Sequence, residues 1–309
     1  MADCQLCGSA HPDGATCPHS RTGTLLGDKK IGPVIGIGGI AAVYAAEHPV
    51  LRKTIALKIL HKRFADDQEL ASRFVREARA TAALGHPAFV HVHDAGVTED
   101  GAPYIEMDRL EGRELYSMRK EAGPLEPERV VPIAVQVLDA LVALHARGVI
   151  HRDIKSQNIY LVPSPNGDQI KLLDLGFAKV EDEMKLTSKN HVLGTPIYIS
   201  PEQYLDPSAV DARADLFSLG VVIFELLTGD WPYAWETKRE LLGKVMKGDL
   251  ERHPMNRNPT VPTWLDAIVA KALAHKREDR FADAAEMKAA LELGPPPGKS
   301  GILRRLFGG

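Results

Sequence analysis

The strongest constraint on how this chain folds is a polar stretch at residues 151–158 that reads His-Arg-Asp-Ile-Lys-Ser-Gln-Asn. Two apolar runs with a Pro- and Gly-containing turn between them follow, and they predict a β-hairpin over residues 159–173. Asp174 comes directly after that hairpin. Because a hairpin returns the chain to its starting point, Asp153, Asn158 and Asp174 are expected to converge on one site. Two carboxylates and an amide placed together can bind a divalent cation and orient a hydroxyl.

The remainder of the chain divides by its pattern of apolar residues. Short β-branched runs broken by glycine and turn residues extend to about residue 110, with one helical pattern at Ser72–Leu84. Beyond residue 111 apolar residues recur at helical spacing. The chain is therefore predicted to be of the α+β class, with a strand-rich lobe to about residue 110 and a helical lobe at 111–293. The predicted segments are a Cys/His segment at 1–22, a large domain at 23–293 and a Pro/Gly and basic-apolar tail at 294–309.

Composition excludes several classes of function. The 309 residues include 38 Lys and Arg against 41 Asp and Glu, for a net charge of −3, and 44% are hydrophobic. No long basic block is present, so nucleic acid is not expected as a partner, since phosphate neutralisation needs a concentrated basic face. The longest apolar run, 216–224, is far shorter than the ~20 residues of a membrane span, and predicts a buried helix. We therefore expect no transmembrane segment. The N-terminus lacks a secretory signal pattern, so we expect a cytoplasmic location.

Three weaker features lie in the strand-rich region. The stretch Gly36–Val43 is rich in glycine, which lets backbone N–H groups approach a phosphate, although such a stretch is more often an ordinary turn. Lys58 ends an apolar strand pattern, where a cation needs an anionic partner unless it is exposed. Glu77 lies on the predicted helix and, taken alone, is a solvated helix charge.

In this order and spacing the features resemble the bacterial serine/threonine protein kinases of the eukaryotic-like family, over roughly residues 24–293. The resemblance implies the two-lobed protein kinase fold, with a strand-rich N-lobe and a helical C-lobe. It further implies transfer of the γ-phosphoryl group of ATP to Ser or Thr hydroxyls of protein substrates, with Mg²⁺ or Mn²⁺ as cofactor. The alternatives are a pseudokinase scaffold that binds without turnover, and an adaptor whose main function lies in residues 1–22.

The same resemblance implies roles for the catalytic residues. Asp153 would accept the proton of the substrate hydroxyl, and Lys155 would steady the γ-phosphate. Lys58 would contact the α- and β-phosphates while paired with Glu77. All of these residue types are present, which argues against an inactive scaffold.

Metal and nucleotide ligands follow from the resemblance as well. Asn158 and Asp174 would hold the two Mg²⁺ ions. The adenine edge would be read by the Asp108 carbonyl and the Leu110 amide, beside a gatekeeper at Met107. The full set implied to contact ATP is Ile35, Gly36, Gly38, Val43, Ala56, Lys58, Met107, Asp108, Leu110 and Tyr160.

Two departures from the family pattern stand out. Leu175 replaces the usual Phe after the metal-binding Asp and keeps an apolar side chain there. Ala41 replaces the last glycine of the loop and would stiffen it. The resemblance also implies that Arg280 pairs with Glu202, and a buried carboxylate without such a partner would destabilise the fold.

Regulation is also suggested by the resemblance. Arg152 beside the catalytic Asp is, in the family, the sign of an activation segment that can be ordered by phosphorylation, because a phosphate pairs with Arg. Thr187 and Ser188 are the candidate autophosphorylation sites, and the alternative is an exposed polar loop with no switch. Thr195 would bridge Asp153 and Lys155. Any signal is expected to arrive through a soluble regulatory partner, the N-terminal segment or a small molecule.

All three cysteines lie in the first 17 residues. Cys4, Cys7 and Cys17 with His19 offer three thiolates and an imidazole, enough for one tetrahedral Zn²⁺, and resemble the zinc-ribbon remnant with which some bacterial kinases open. His11 is the alternative fourth ligand. A disordered leader with three reduced thiols is the other interpretation, since a disulfide is not expected in a cytosolic protein.

Overall fold

The computed structural model describes residues 20–50, 52–165, 167–175 and 197–295, together with Cys4, Leu6 and Cys17. These residues form two compact units. The first comprises the described residues up to Glu111 together with 173–175, and the second comprises Gly112–Leu172 and 197–295.

The first unit is built on a six-stranded antiparallel sheet with the strand order β1-β2-β3-β4-β6-β5. Its strands are β1 (Leu25–Leu26), β2 (Lys29–Ile37), β3 (Ala41–His48), β4 (Lys53–Leu60), β5 (Val92–Val97) and β6 (Pro103–Asp108). A 3₁₀ turn at Lys62–Phe64 follows β4 and leads to helix α1 (Gln68–Leu84).

Helix α1 begins four residues earlier than the sequence pattern predicts. The Asp67 carboxylate accepts hydrogen bonds from the Glu69 and Leu70 amides, which satisfies donors that the first turn would otherwise leave open. The helix ends at Gly85, whose φ of +60° is the left-handed conformation that glycine adopts at little cost. This cap explains why the helix includes a polar first turn without apolar periodicity.

Side-chain alternation along β4 gives the sheet two buried faces. On one face Ala41, Leu60 and Ile105 pack with α1 through a cluster that includes Phe74. On the other face a second cluster forms, and Leu6 and Leu26 pack against it; its members are Ile31, Ala42, Tyr44, Ala46, Ile55, Leu57, Ile59 and Ala102. Each face excludes water from a different set of strand residues, so the register of the sheet is strongly specified.

The second unit is mainly helical. Its three-stranded sheet has the order β7-β8-β9, with β7 (Arg113–Glu114), β8 (Ile159–Val162) and β9 (Gln169–Leu172). The helices are α2 (Leu115–Ala122), α3 (Pro127–His145), α4 (Pro201–Leu205), α5 (Arg213–Thr228), α6 (Lys238–Lys247), α7 (Thr263–Ala272) and α8 (Ala284–Leu293). Short 3₁₀ turns occur at Ser156–Asn158, Pro207–Ala209, Pro254–Asn256 and Arg277–Asp279. The hairpin predicted over 159–173 is present as β8 and β9.

Helix α5 is the centre of this unit, and its residues from Ala214 to Leu227 are all buried. It contains the apolar run that the sequence predicts to be a buried helix. In the described ranges, no helix combines the length and hydropathy required to cross a bilayer.

Candidate active site

The polar stretch at 151–158 folds around the Asp153 carboxylate. Its Oδ2 accepts hydrogen bonds from Lys155 Nζ at 2.9 Å and from Asn158 Nδ2 at 2.7 Å. Asn158 Nδ2 also donates to the Asp153 backbone carbonyl at 3.0 Å. Charged partners make such bonds short and strong, so the carboxylate is held in one orientation while its side chain keeps 13% of its surface exposed.

Helix α5 supplies the anchor for this stretch through the fully buried Asp215. Its two carboxylate oxygens accept the backbone amides of His151 and Arg152, each at 2.8 Å, and one also contacts His145 Nε2 at 2.8 Å. Arg152 has a φ of +64°, one of three positive values among non-glycine residues in the described part of the chain. An outlier of this kind persists only where its surroundings enforce it, and here two amides are fixed by one buried carboxylate.

In the first unit, Lys58 lies between two carboxylates. Its Nζ is 3.3 Å from Glu77 Oε1 on α1 and 2.6 Å from Asp174 Oδ1. Lys58 and Glu77 are each more than nine-tenths buried, whereas about half of the Asp174 side chain is exposed. The structure thus places Lys58 beside Glu77, as the resemblance implies, and also beside Asp174.

Burial alone would lower the pKa of Lys58, because it removes water from the ammonium group. The charges of Asp174 and Glu77 outweigh that penalty and raise the pKa above its usual value. Lys58 is therefore a permanent cation at physiological pH, suited to contact an anionic group.

Strand register decides which nucleotide-site candidates share a face. Val43 pairs with Lys58 across β3 and β4, and Ala56 pairs with Met107 across β4 and β6. Directly paired residues point to the same side, and on β4 Ala56 and Lys58 are two residues apart, so these four side chains lie on one face of the sheet.

The other adenine-site candidates differ in their surroundings. A backbone amide that contacts the edge of adenine must have its N–H available. Within the described residues, the Leu110 amide donates no hydrogen bond. Ile35, on β2, is 46% exposed. Tyr160 belongs to the second unit, where its hydroxyl donates to the Gly112 carbonyl at 2.8 Å. The resemblance assigns the Asp108 carbonyl to adenine, and the amide of the same residue donates to the His91 carbonyl at 2.9 Å.

Asn158 and Asp174 offer the ligand chemistry that Mg²⁺ prefers. The bonds from Asn158 to Asp153 use the amide nitrogen, so the amide oxygen remains as a ligand atom. Asp174 presents a half-exposed carboxylate at a residue with φ of +46°. Hard oxygen donors of this type suit Mg²⁺, so the residues present fit the cation implied by the resemblance.

Sequence reasoning missed a buried network in the second unit. Glu225 accepts hydrogen bonds from Arg119 at 2.5 Å and from the Tyr198 hydroxyl at 2.7 Å. The Tyr198 hydroxyl is also 2.9 Å from Ser156 Oγ, in the turn that carries Asn158, and Trp231 donates to it. The signal that could have exposed the network is Glu225 itself, a charge that follows a long apolar run.

Structural support also comes from a buried arginine. The Arg280 guanidinium contacts both oxygens of Glu202, at 2.6 and 2.8 Å, as the resemblance implies. Leu175 is 2% exposed, so the residue that replaces Phe is packed as an apolar side chain.

Several candidates lie outside the described residues: Cys7, His11, His19, Thr187, Ser188, Thr195 and the tail from residue 296. Of the four predicted zinc ligands, the structure describes Cys4 and Cys17, both half-buried. Among the described residues no group of three or more His, Cys, Asp and Glu side chains is arranged to hold a metal ion.

Comparison with known proteins decides the family. The model of a family described as protein kinase domain matches residues 30–291. The chain belongs to the protein kinase family. The fold predicted from the sequence, with a strand-rich N-lobe and a helical C-lobe, is confirmed.

This chain is similar to named proteins from bacteria. It is 38% identical over 271 residues to the serine/threonine-protein kinase PknH of Mycobacterium bovis, covering 88% of this chain and 44% of the relative. It is 38% identical over 299 residues to Pkn1 of Myxococcus xanthus, covering 94% and 42%. The crystal structure of the Mycobacterium tuberculosis PknI kinase domain superposes with a TM-score of 0.69 at 27% identity, covering 88% of this chain and 97% of that domain. The chain thus spans less than half the length of PknH and of Pkn1.

Proposed function

We propose that this kinase transfers the γ-phosphoryl group of ATP to Ser or Thr hydroxyls of protein substrates. The observation that carries the proposal is the Asp153 carboxylate, held by Lys155 and Asn158 at hydrogen-bonding distance. A carboxylate fixed in this way can accept the proton of a hydroxyl while the hydroxyl oxygen bonds to the γ-phosphorus and ADP leaves. Its relatives support the same activity, since PknH and Pkn1 are named serine/threonine-protein kinases.

Lys58 is proposed to bind the α- and β-phosphates. It is a permanent cation next to Glu77 and Asp174, and it lies on the sheet face that also carries Val43, Ala56 and Met107. Small and apolar side chains beside a cation suit a flat base joined to an anionic chain.

Asn158 and Asp174 are proposed to hold Mg²⁺, which neutralises charge on the phosphates when bound. Lys155 is proposed to steady the γ-phosphate; its bond to Asp153 keeps its charge beside the proposed proton acceptor. Removal of divalent cations with a chelator is expected to abolish transfer, and added Mg²⁺ or Mn²⁺ to restore it.

The test is phosphate incorporation from radiolabelled ATP into the kinase itself and into a protein substrate rich in Ser and Thr. Asp153→Asn is expected to abolish incorporation because it removes the proton acceptor. Asp249→Asn, an exposed acid of the same unit, is the matched control and should behave as wild type. Equal incorporation by wild type and Asp153→Asn would defeat the proposal, as would incorporation into Tyr alone.

Autophosphorylation of Thr187 or Ser188 is proposed as the activating step. Among the described residues no carboxylate lies within salt-bridge distance of Arg152, while its backbone is fixed by Asp215 and by a bond from Gln203 to its carbonyl. A guanidinium carried by a fixed backbone suits a phosphate. A Thr187→Ala, Ser188→Ala variant that keeps full activity and identical activation kinetics would refute this step.

Zinc binding by Cys4, Cys7, Cys17 and His19 is proposed on the sequence pattern, for a segment at 1–22 ahead of the kinase domain at 23–293. The structure describes a contact of the third cysteine, in which the Ser20 amide donates to the Cys17 carbonyl at 2.8 Å. Elemental analysis should find about one zinc per chain in wild type, and less in a Cys4→Ser, Cys7→Ser variant. Equal zinc in both would reject the site.

A further inference from the structure

The glycine-rich turn that joins β2 to β3 (Gly38–Ala41) is held by hydrogen bonds from outside the turn. Within it, the Gly38 amide donates to the Ala41 carbonyl at 2.8 Å. Its three other carbonyls are bound by the segment that follows β4. His61 donates its backbone amide to Ile40 at 2.8 Å, and its Nε2 lies 2.9 Å from the Gly38 carbonyl. The remaining carbonyl, that of Gly39, accepts from Arg63 Nη2 at 3.0 Å.

The segment that makes these bonds is called the β4–α1 connector here (His61–Phe64). It starts directly after the last residue of β4 and forms one 3₁₀ turn, closed by a bond from the Phe64 amide to the His61 carbonyl at 2.9 Å. His61 is only 4% exposed. The two adjacent glycines give the turn high conformational freedom of its own, so its shape depends on such external bonds.

The chemistry of the His61 contact is unambiguous. A backbone carbonyl can only accept, so the imidazole must carry its proton on Nε2 and donate it to Gly38. Burial lowers the pKa of His61, which keeps the ring neutral at physiological pH. Arg63 differs, because its guanidinium is exposed and stacks on the Phe64 ring at 4.9 Å.

We propose that His61 and Arg63 are positioning residues for ATP: from the β4–α1 connector they hold the glycine-rich turn in the shape that receives the phosphates. The inference rests on the proposed function and on the family resemblance, which implies that the stretch Gly36–Val43 covers the nucleotide. A turn that is ordered before ATP arrives does not lose that freedom on binding, so affinity is higher than for a free turn. Neither residue touches the nucleotide, and both act through backbone carbonyls.

Loss of these bonds should lower the affinity for ATP more than the affinity for adenosine. Adenosine has no phosphates for the turn to cover, and its base and ribose would contact strand residues whose ladders remain intact. His61→Leu keeps the volume but removes the donor, and should raise the ATP dissociation constant about 5- to 10-fold, the range of one net hydrogen bond. Adenosine affinity should change less than about twofold, so the ratio of the two affinities falls.

The experiment measures dissociation constants for ATP and adenosine on the full chain by titration calorimetry, together with kcat and KM for ATP. His61→Gln restores an N–H donor near the position of Nε2 and should return the ATP-to-adenosine ratio to within about threefold of wild type. Arg63→Met should lower the ratio about two- to threefold. Lys62→Met is the matched control: it removes a cation from the same connector, but Lys62 makes no bond to the turn.

The outcomes separate this inference from the proposed function. Wild-type protein that neither binds ATP nor transfers phosphate defeats the proposed function. An active wild type in which His61→Leu keeps the wild-type ratio overturns only the positioning role, as does an equal fall in ATP and adenosine affinity. If His61→Leu does not fold, Arg63→Met decides, because its side chain is exposed. A ratio no lower than that of Lys62→Met then refutes the inference.

Discussion

Replacing Lys58 with Met separates the structural and chemical roles of the buried cation. The substitution keeps an unbranched side chain of similar length and removes the ammonium group that lies 3.3 Å from the buried Glu77 carboxylate. Breaking a buried ion pair by removing one partner costs about 3–5 kcal/mol. Asp174, whose side chain is about half exposed, adds little because water can replace the lysine.

The lower end of that range is expected here, because Met also relieves the cost of burying an ammonium group. A loss of about 3 kcal/mol corresponds to a fall in Tm of roughly 6–12 °C for a domain of this size. The pKa of Lys58 lies above its usual value of 10.5, so this stabilisation is fully present below that pH and is lost as the pH rises further. The deficit of the variant should therefore be the same near neutral pH and at about pH 9.

A second variant tests the reasoning. Lys58→Met combined with Glu77→Met replaces the pair with two apolar side chains, which is often neutral or stabilising, and should recover the Tm to within a few degrees of wild type. Phosphate transfer should stay reduced by about 100-fold or more in both variants, because the phosphate-binding cation is absent. Thermal unfolding and phosphate incorporation are measured on the same samples. A single variant with the wild-type Tm, or a double variant as unstable as the single one, would refute the account.

Two further predictions concern stability. Gly112→Ala should lower the free energy of unfolding by about 3 kcal/mol, because a Cβ there would lie 2.0 Å from a backbone oxygen. Gly243 lies in helix α6 with open space around the position of its Cβ, so Gly243→Ala should raise the free energy of unfolding by about 0.5–1 kcal/mol. Denaturant titration measures both free energies of unfolding, and a Gly112→Ala variant at least as stable as Gly243→Ala would contradict these predictions. Hydrogen bonds from Arg21 and Thr98 lower the pKa of Asp100 to about 2 from 3.8. The stabilisation from the ionised Asp100 is thus present above pH 3.8 and is lost as the pH falls through 2. Asp100→Asn should lower the free energy of unfolding by less than about 1 kcal/mol at neutral pH and leave it unchanged in acid. A loss of stability that persists in thermal unfolding at acid pH would contradict this account.

Asp153, Lys155 and Asn158 can be recognised from the sequence because they lie within six residues of one another. A hairpin after Asn158 is written in the apolar runs and the turn residues between them, and the structure forms it. The resemblance supplied the long-range pairs: it implied that Lys58 contacts Glu77 and that Arg280 contacts Glu202, and the structure makes both contacts.

Other contacts leave no trace in the pattern. His61 binds a backbone carbonyl, and every residue has one, so no residue type in the turn marks the contact. Glu225 is visible as a charge next to an apolar run, but its partner Arg119 lies 106 residues earlier in the chain. The start of helix α1 was missed because it depends on the Asp67 cap and not on apolar periodicity.

The most direct test of the proposed activity separates binding from chemistry at Asp153. Asp153→Asn removes the proton acceptor, while the proposed phosphate ligand Lys58 and the sheet face around it belong to the other unit and are unchanged. Titration calorimetry should give an ATP affinity within about threefold of wild type. Phosphate incorporation into Ser and Thr, counted by mass spectrometry, should fall by roughly 100-fold or more. An Asp153→Asn variant that phosphorylates Ser and Thr at the wild-type rate would contradict the account.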